Sequence, residues 1–169
     1  MRHKLLILGD ARHGKDTVGT ILQEEYDYKF SSSSWFCAQE TIWPNWGCAV
    51  YGSIHEMFED RVNHRVLWMQ MISAYNTPDK AKTARTMIER GSDMYVGMRR
   101  ADELAECRRQ GIFHKVVWVD RSEHLPREVG STDLDPSMTD VILDNNGSLE
   151  DLKRNVRAFH AELSHERQR

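Results

Sequence analysis

Short apolar runs alternate with helical patterns along the whole chain. HKLLIL (3–8) is a continuous apolar run ending at Gly9, the pattern of a parallel strand buried on both faces. From Lys15 to Glu25 the apolar positions Val18, Ile21 and Leu22 fit a helix, and Tyr28 to Ser31 fits a second short strand. The stretch 31–52 is polar and aromatic with weak periodicity, and reads as a short helix after the serines followed by a loop. Ile54, Phe58, Val62, Val66 and Met69 recur at three- and four-residue steps, which predicts the buried stripe of one long helix ending near Tyr75. Thr77 then suits a cap, Pro78 a first helical turn, and Gly91 the end of the next helix. DMYVGM (93–98) predicts a strand, Ala101 to Gln110 a helix closed by Gly111, and KVVWV (115–119) another buried strand. Residues 120–138 are polar with two prolines, as in a flap or lid. DVIL (140–143) predicts the last strand. Ser148 and Asp151 form a capping pair for a helix with Leu149, Leu152, Val156 and Phe159 inward, and the tail SHERQR is expected to fray. Strands alternating with helices throughout imply one parallel α/β sheet covered on both faces.

The bulk numbers narrow the class. The 169 residues suit a single domain; 40% are hydrophobic and 29% charged, as in a globular protein. A net charge of −3 argues against a general nucleic-acid coat, while a local basic cleft stays compatible. No apolar run approaches the roughly 18 residues of a membrane span. The start is too short for a signal peptide. Cys37, Cys48 and Cys107 are isolated, as expected of reduced thiols in a cytoplasmic protein, and predict neither a disulfide frame nor a zinc site. The eight histidines form no ligand pair and read as scattered surface groups.

GDARHGKDT (9–17) fits G-x4-G-K between a strand and a helix. Such a loop turns backbone N–H groups of Gly9, Ala11, Arg12, His13 and Gly14 inward onto phosphate oxygens. Lys15 reaches the β- and γ-phosphates, and Thr17 offers a hydroxyl. Asp16 stands where a hydroxyl usually contacts Mg2+; a carboxylate is also a hard oxygen ligand, and it equally suits a helix's first turn. Asp10 inside an anion cradle is harder to explain. It faces a metal or the acceptor, or it points outward and pairs with Arg12 or His13.

Arg61, Arg65 and Trp68 share one helical face and would suit a nucleotide with its phosphate clamped and its base stacked; a solvated basic edge fits the same spacing. Arg99 and Arg121 each follow a strand, on the edge where open parallel sheets bind ligands. Glu103 could pair with Arg99. Arg121 and Arg127 lie on the lid-like stretch, where an arginine can close onto phosphates or serve only in a salt bridge. DNNG (144–147), with Asn146, could line an adenine or simply turn the chain. Ser31 to Ser34 and Trp35 are candidates for the entrance to a base pocket.

GDARHGKDT, YVGMRRADE, KVVWVDR and TDVILDNNGSLEDLKRNV, in order along most of the chain, resemble the phage deoxynucleoside monophosphate kinases within the P-loop nucleoside monophosphate kinase group; 35–53 matches poorly. Similar loops occur in a phosphomevalonate kinase family. The resemblance implies a P-loop NTPase three-layer α/β/α sandwich with a helical NMP-binding region (31–92) and a short lid (121–138). It implies Mg2+-dependent transfer of the ATP γ-phosphoryl to a deoxynucleoside monophosphate in a host cytoplasm, with no nucleic-acid or membrane partner and with room for a homodimer. On matching positions Lys15, Asp16 and Thr17 take the loop roles, and Arg61 and Arg65 the acceptor clamps. Arg99 and Glu103 match the D-x-R-x-x-x-E pattern, and Arg121 opens the lid. The pattern's Asp, which would help hold Mg2+, is Gly97 here, and this raises the expected weight of Asp10 and Asp16. The alternatives are a kinase for another phosphorylated metabolite and a non-catalytic ATP-binding module.

Overall fold

The structure, a computed structural model, describes residues 2–127 and 132–166. Met1, the centre of the expected lid (128–131) and the end of the expected frayed tail (167–169) lie outside the described residues.

Five strands form one parallel sheet in the order β2-β3-β1-β4-β5: β1 Leu5–Leu8, β2 Phe30–Ser32, β3 Met94–Val96, β4 Lys115–Asp120 and β5 Val141–Asp144. β1 is the centre, and all four of its side chains are fully buried. Strand side chains alternate between faces, so Leu5 and Ile7 meet one helical layer while Leu6 and Leu8 meet the other. Helices α1 (Lys15–Tyr26) and α8 (Leu149–Glu166) form the first layer through Val18, Ile21, Leu22, Leu152, Val156 and Phe159. The second layer is α2 (Ser33–Cys37), α6 (Lys82–Glu89) and α7 (Ala101–Arg109), through Phe36, Cys37, Ala84, Met87, Leu104 and Cys107. The chain is therefore a three-layer α/β/α sandwich. Each fully buried aliphatic side chain contributes about 1.5–3 kcal/mol, so β1 is the costliest element to perturb.

Between β2 and β3 the chain builds a helical satellite with its own core of Ala38, Ile42, Met57 and Trp68, wrapped by Trp35, Trp43, Trp46, Tyr51 and Phe58. Two sequence expectations fail here. Residues 38–47 form no loop; they run on from α2 as a wide, π-type helix, Ala38–Gly47. Pro44 lacks an N–H and disfavours α-helical spacing. Burial of Ala38 and Ile42 and a 2.7 Å bond from Asn45 Nδ2 to the Thr41 carbonyl hold the wider turns, and α3 (Cys48–Val50) ends the run.

The long helix is also broken, into α4 (Ile54–Glu59), a 3-10 turn (Asp60–Asn63) and α5 (Arg65–Tyr75). Asp60 accepts hydrogen bonds from Tyr51 (2.6 Å) and Asn63 (2.5 Å) and lies 3.1 Å from His64 Nε2, local bonds that compete with helix continuation. The break rotates the expected stripe outward: Val62, Val66 and Met69 are 55%, 68% and 69% exposed, while Met57 and Trp68 are buried.

Smaller corrections follow the same logic. Thr77 and Pro78 do not start α6, since Thr77 Oγ1 donates to the Ser73 carbonyl and the helix begins at Lys82 after Asp79 caps Ala81 N–H. Leu149 is exposed rather than inward. The Ser148–Asp151 capping pair forms reciprocally, at 2.9 and 3.2 Å. All three cysteines are free; burial pushes the Cys37 and Cys107 thiols up to about 12, so neither is a ready nucleophile. No helix among the described residues is long and apolar enough to cross a membrane.

Asn76, only 2% exposed, joins three helices. Its Oδ1 accepts from Thr83 N–H and Thr83 Oγ1 (3.0 and 2.7 Å), and its Nδ2 donates to Glu103 Oε1 (2.9 Å). Burial raises the Glu103 pKa, with Asp102 adding to the rise and Asn76, Lys80 and Arg100 opposing it. A raised carboxyl stabilises the fold most below its unfolded value of 4.5, and that contribution is lost as pH rises past it. Glu103→Gln, which keeps an acceptor for Asn76, is therefore expected to raise the melting midpoint at pH 7. The gain should fade as pH falls through the raised folded value and be gone by about pH 4.5, and melting curves of both proteins across pH 3–8 check the sign.

Candidate functional site

The carboxyl ends of β1, β2 and β3 open into one cleft of about 690 Å3. Gly9, Ala11, Arg12, Lys15 and Asp16 line it from the loop after β1; Ser31 to Ser34 and Trp35 from β2 and α2; Phe58 and Arg61 from the satellite; and Val96, Gly97, Met98, Arg99 and Thr132 close it. Among the described lining residues the cations Arg12, Lys15, Arg61 and Arg99 accompany one carboxylate, Asp16, so the cleft is positively charged.

The loop after β1 follows a sharply turning path. Gly9, Arg12 and Gly14 take positive φ values of 143°, 64° and 93°, a turning path that directs successive N–H groups into a concavity. Gly14 is the N-cap of α1 and has no side chain with which to cap the first-turn N–H groups. A Cβ on Gly14 would sit 2.5 Å from Asn145 Nδ2, so only glycine fits.

Lys15 Nζ donates to the Asp10 carbonyl at 2.6 Å. Burial lowers the Lys15 pKa; Asp16 and Asp10 oppose the shift and Arg99 reinforces it. Asp16 is exposed and lines the cleft. Thr17 is exposed in the first turn of α1.

Asp10 takes neither expected place. It is 6% exposed and absent from the cleft wall. Its Oδ1 makes no hydrogen bond among the described residues but lies 3.4 Å from Nε of Arg127. Arg127 also donates to the Leu134 carbonyl and lies 3.8 Å from Asp135, so Asp10 anchors the lid-like stretch from the loop side. Neither Arg127 nor Arg121, half-buried at the end of β4, is among the cleft residues, against the expectation for both.

His13 corrects the reading of the histidines as surface groups, for it is 0% exposed. Its Nδ1 accepts from Arg121 N–H (3.1 Å), which places the ring proton on Nε2, 2.9 Å from the Leu125 carbonyl. Its backbone is engaged as well, the N–H donating to the Asp10 carbonyl at 3.3 Å and the carbonyl accepting from Asn145 Nδ2 at 2.9 Å, so His13 is a brace of the loop rather than the expected phosphate contact. The sequence reading missed Asn145, which is 4% exposed; its signal was the DNNG turn, where the neighbouring Asn146 was chosen instead. Asn146 holds the turn after β4, accepting from Glu123 N–H and donating to Asp120 and Asp144.

The expected acceptor residues divide. Trp35 and Arg61 reach the cleft; Arg61 lies over the Phe58 ring at 4.0 Å and donates to the Phe58 carbonyl at 2.6 Å. Trp35 meets Phe58 edge-on at 4.9 Å. Arg65 is exposed outside the cleft wall, because the helix break moves it away from Arg61. Trp68 is 6% exposed and packs against Phe58 in the satellite core, so it presents no stacking face. Glu103 binds Asn76 rather than Arg99, and it too is outside the wall. Arg99 does line the cleft, and its carbonyl accepts from Thr132 Oγ1 at 2.8 Å.

A magnesium ion needs one or two carboxylates beside phosphate oxygens and waters. Asp16 fits that donor set, whereas Asp10, buried against Arg127, does not. No group of three His, Cys, Asp or Glu side chains gathers among the described residues.

No protein-family model matches the sequence, and no curated protein matches it. Among solved structures, TT1252 from Thermus thermophilus is similar over 96% of this chain and 99% of its own, at 20% identity and a TM-score of 0.53. That likeness is one of fold.

Gly97 has φ +101°, and a Cβ there would lie 3.2 Å from Ser33 Oγ. Gly97→Asp, which restores the pattern's carboxylate, should therefore cost about 1–3 kcal/mol in a denaturant titration. Asp10→Asn and Arg127→Ala should each lower stability, with a double mutant less destabilised than the sum. Strict additivity would mean that the 3.4 Å pair is not coupled.

Proposed function

We propose that the chain is a P-loop phosphotransferase that moves the γ-phosphoryl group of ATP to a nucleoside monophosphate, with deoxynucleotides as the preferred class. The observation that carries this reading is the single cleft joining the phosphate cradle at Lys15 to the aromatic and cationic wall of Trp35, Phe58, Arg61 and Arg99. Phosphoryl transfer needs positioning and positive charge around the moving group, and this cleft supplies both.

ATP phosphates take the loop's N–H groups, and Lys15 exchanges the Asp10 carbonyl for β- and γ-oxygens. Asp16 would hold Mg2+ beside the phosphates, and the ion would supply positive charge against the charge that develops in transfer. The acceptor phosphate sits against Arg99 and Arg61 while its base lies on Trp35. An acceptor oxygen attacks the γ-phosphorus, the β–γ bridging P–O bond breaks, and ADP leaves. Arg121 stands outside the cleft wall, and the resemblance of KVVWVDR alone assigns its charge to the transferring group.

The aromatic wall favours a planar base over acceptors such as phosphomevalonate or a CoA precursor. A non-catalytic ATP-binding module would bind ATP without transfer.

ADP release over a panel of nucleoside and deoxynucleoside monophosphates with Mg2+ is expected to be acceptor-dependent. Lys15→Ala should lower kcat by about 100-fold or more. A panel with no acceptor-dependent turnover would falsify the reading. ATP affinity requires protonated Lys15, so it should decline at alkaline pH, starting below the 10.5 of an ordinary lysine. Titration calorimetry over pH 7–10 measures this.

A further inference from the structure

We infer that His13 is a positioning residue, which sets the backbone of Arg121 from inside the phosphate-binding loop. The role rests on the phosphotransfer reading above, and it goes beyond it by assigning a loop side chain that touches no ligand. One imidazole closes the turn after β4 at both ends. Nδ1 takes the Arg121 N–H at 3.1 Å, and Nε2 gives its proton to the Leu125 carbonyl at 2.9 Å.

The turn closes on itself as well: the Arg121 carbonyl accepts from His124 and Leu125 N–H groups at 3.1 and 3.0 Å. Asp120 caps Ser122 N–H at 3.1 Å. The ring is wholly buried, and its own carbonyl is held by Asn145 Nδ2 at 2.9 Å, so it cannot drift while the loop holds its shape. The loop proposed to cradle phosphate and the backbone from which Arg121 departs are thus tied through one ring. A surface histidine with a single partner would impose no such constraint.

Both bonds require the neutral ring with its proton on Nε2; a proton on Nδ1 would set two donors face to face. Asparagine reproduces an acceptor near Nδ1, and glutamine a donor near Nε2. This difference separates positioning of Arg121 from simple filling of the site.

The test uses the full chain, ATP, Mg2+ and the best acceptor from the panel. His13→Ala should lower kcat about 10- to 100-fold while the acceptor KM stays within about twofold. His13→Asn should recover most of kcat and His13→Gln should not. In an Arg121→Ala background His13→Ala should cost nothing further, because both changes remove the same contribution. Exchange of the Arg121 amide should be faster in His13→Ala and near wild type in His13→Asn. Multiplying losses in the double variant, equal recovery by Asn and Gln, or an unchanged kcat in His13→Ala would overturn the role. If His13→Ala does not fold, the Asn and Gln comparison decides alone. A wild type that turns over without His13–Arg121 coupling sinks only this inference; a silent wild type sinks the phosphotransfer reading and the positioning role with it.

Discussion

The molecule depends on the burial of Leu5–Leu8 between β3 and β4. A strand with no exposed side chain cannot slide or tilt without opening both helical layers. Its end at Leu8 therefore fixes where the chain must turn. From that point the backbone passes through three positive-φ residues in six positions before entering α1. The uncapped N–H groups of α1 are consequently held at a definite place on the sheet's ligand edge. The cleft, its cations and the proposed chemistry all hang on this one rigid exit.

Around the exit, the loop's polar side chains act mainly as braces. Asp10 reaches Arg127, His13 reaches the turn at 121–125, and Lys15 rests on the Asp10 carbonyl. A buried carboxylate beside a phosphate cradle would repel its ligand. Turned away from the cleft against a guanidinium, its charge is balanced without entering the anion's field. The arrangement leaves Asp16 as the exposed carboxylate of the cleft, which suits a metal held between one carboxylate and phosphates. At Gly97 the positive φ and the Ser33 hydroxyl 3.2 Å from a Cβ make the second acid that the motif pattern carries a strained choice.

The satellite between β2 and β3 supplies the other wall. Its aromatic core is separate from the two sheet layers, and it presents only Trp35, Phe58 and Arg61 to the cleft. Arg61 is held by the Phe58 ring and carbonyl, which orders a long side chain that would otherwise sample many rotamers.

The sequence by itself determined the strand–loop–helix order, the parallel sheet and the glycine turn after β1, because each rests on local patterns: apolar runs, capping residues such as Ser148, and positions that only glycine fits. Lys15, Asp16, Trp35, Arg61 and Arg99 were legible on the same ground, by following a strand end or a helical spacing. Tertiary structure alone decided the rest. Periodicity could not reveal that Asp60 captures Tyr51 and Asn63 and breaks the long helix, which sends Val62, Val66 and Met69 outward and separates Arg61 from Arg65. Nor could spacing pair residues more than a hundred positions apart, such as His13 with Arg121 and Asp10 with Arg127. Those contacts exist because β1 and β4 lie side by side, and strand adjacency is set by the packing of the whole sheet rather than by any local stretch of chain.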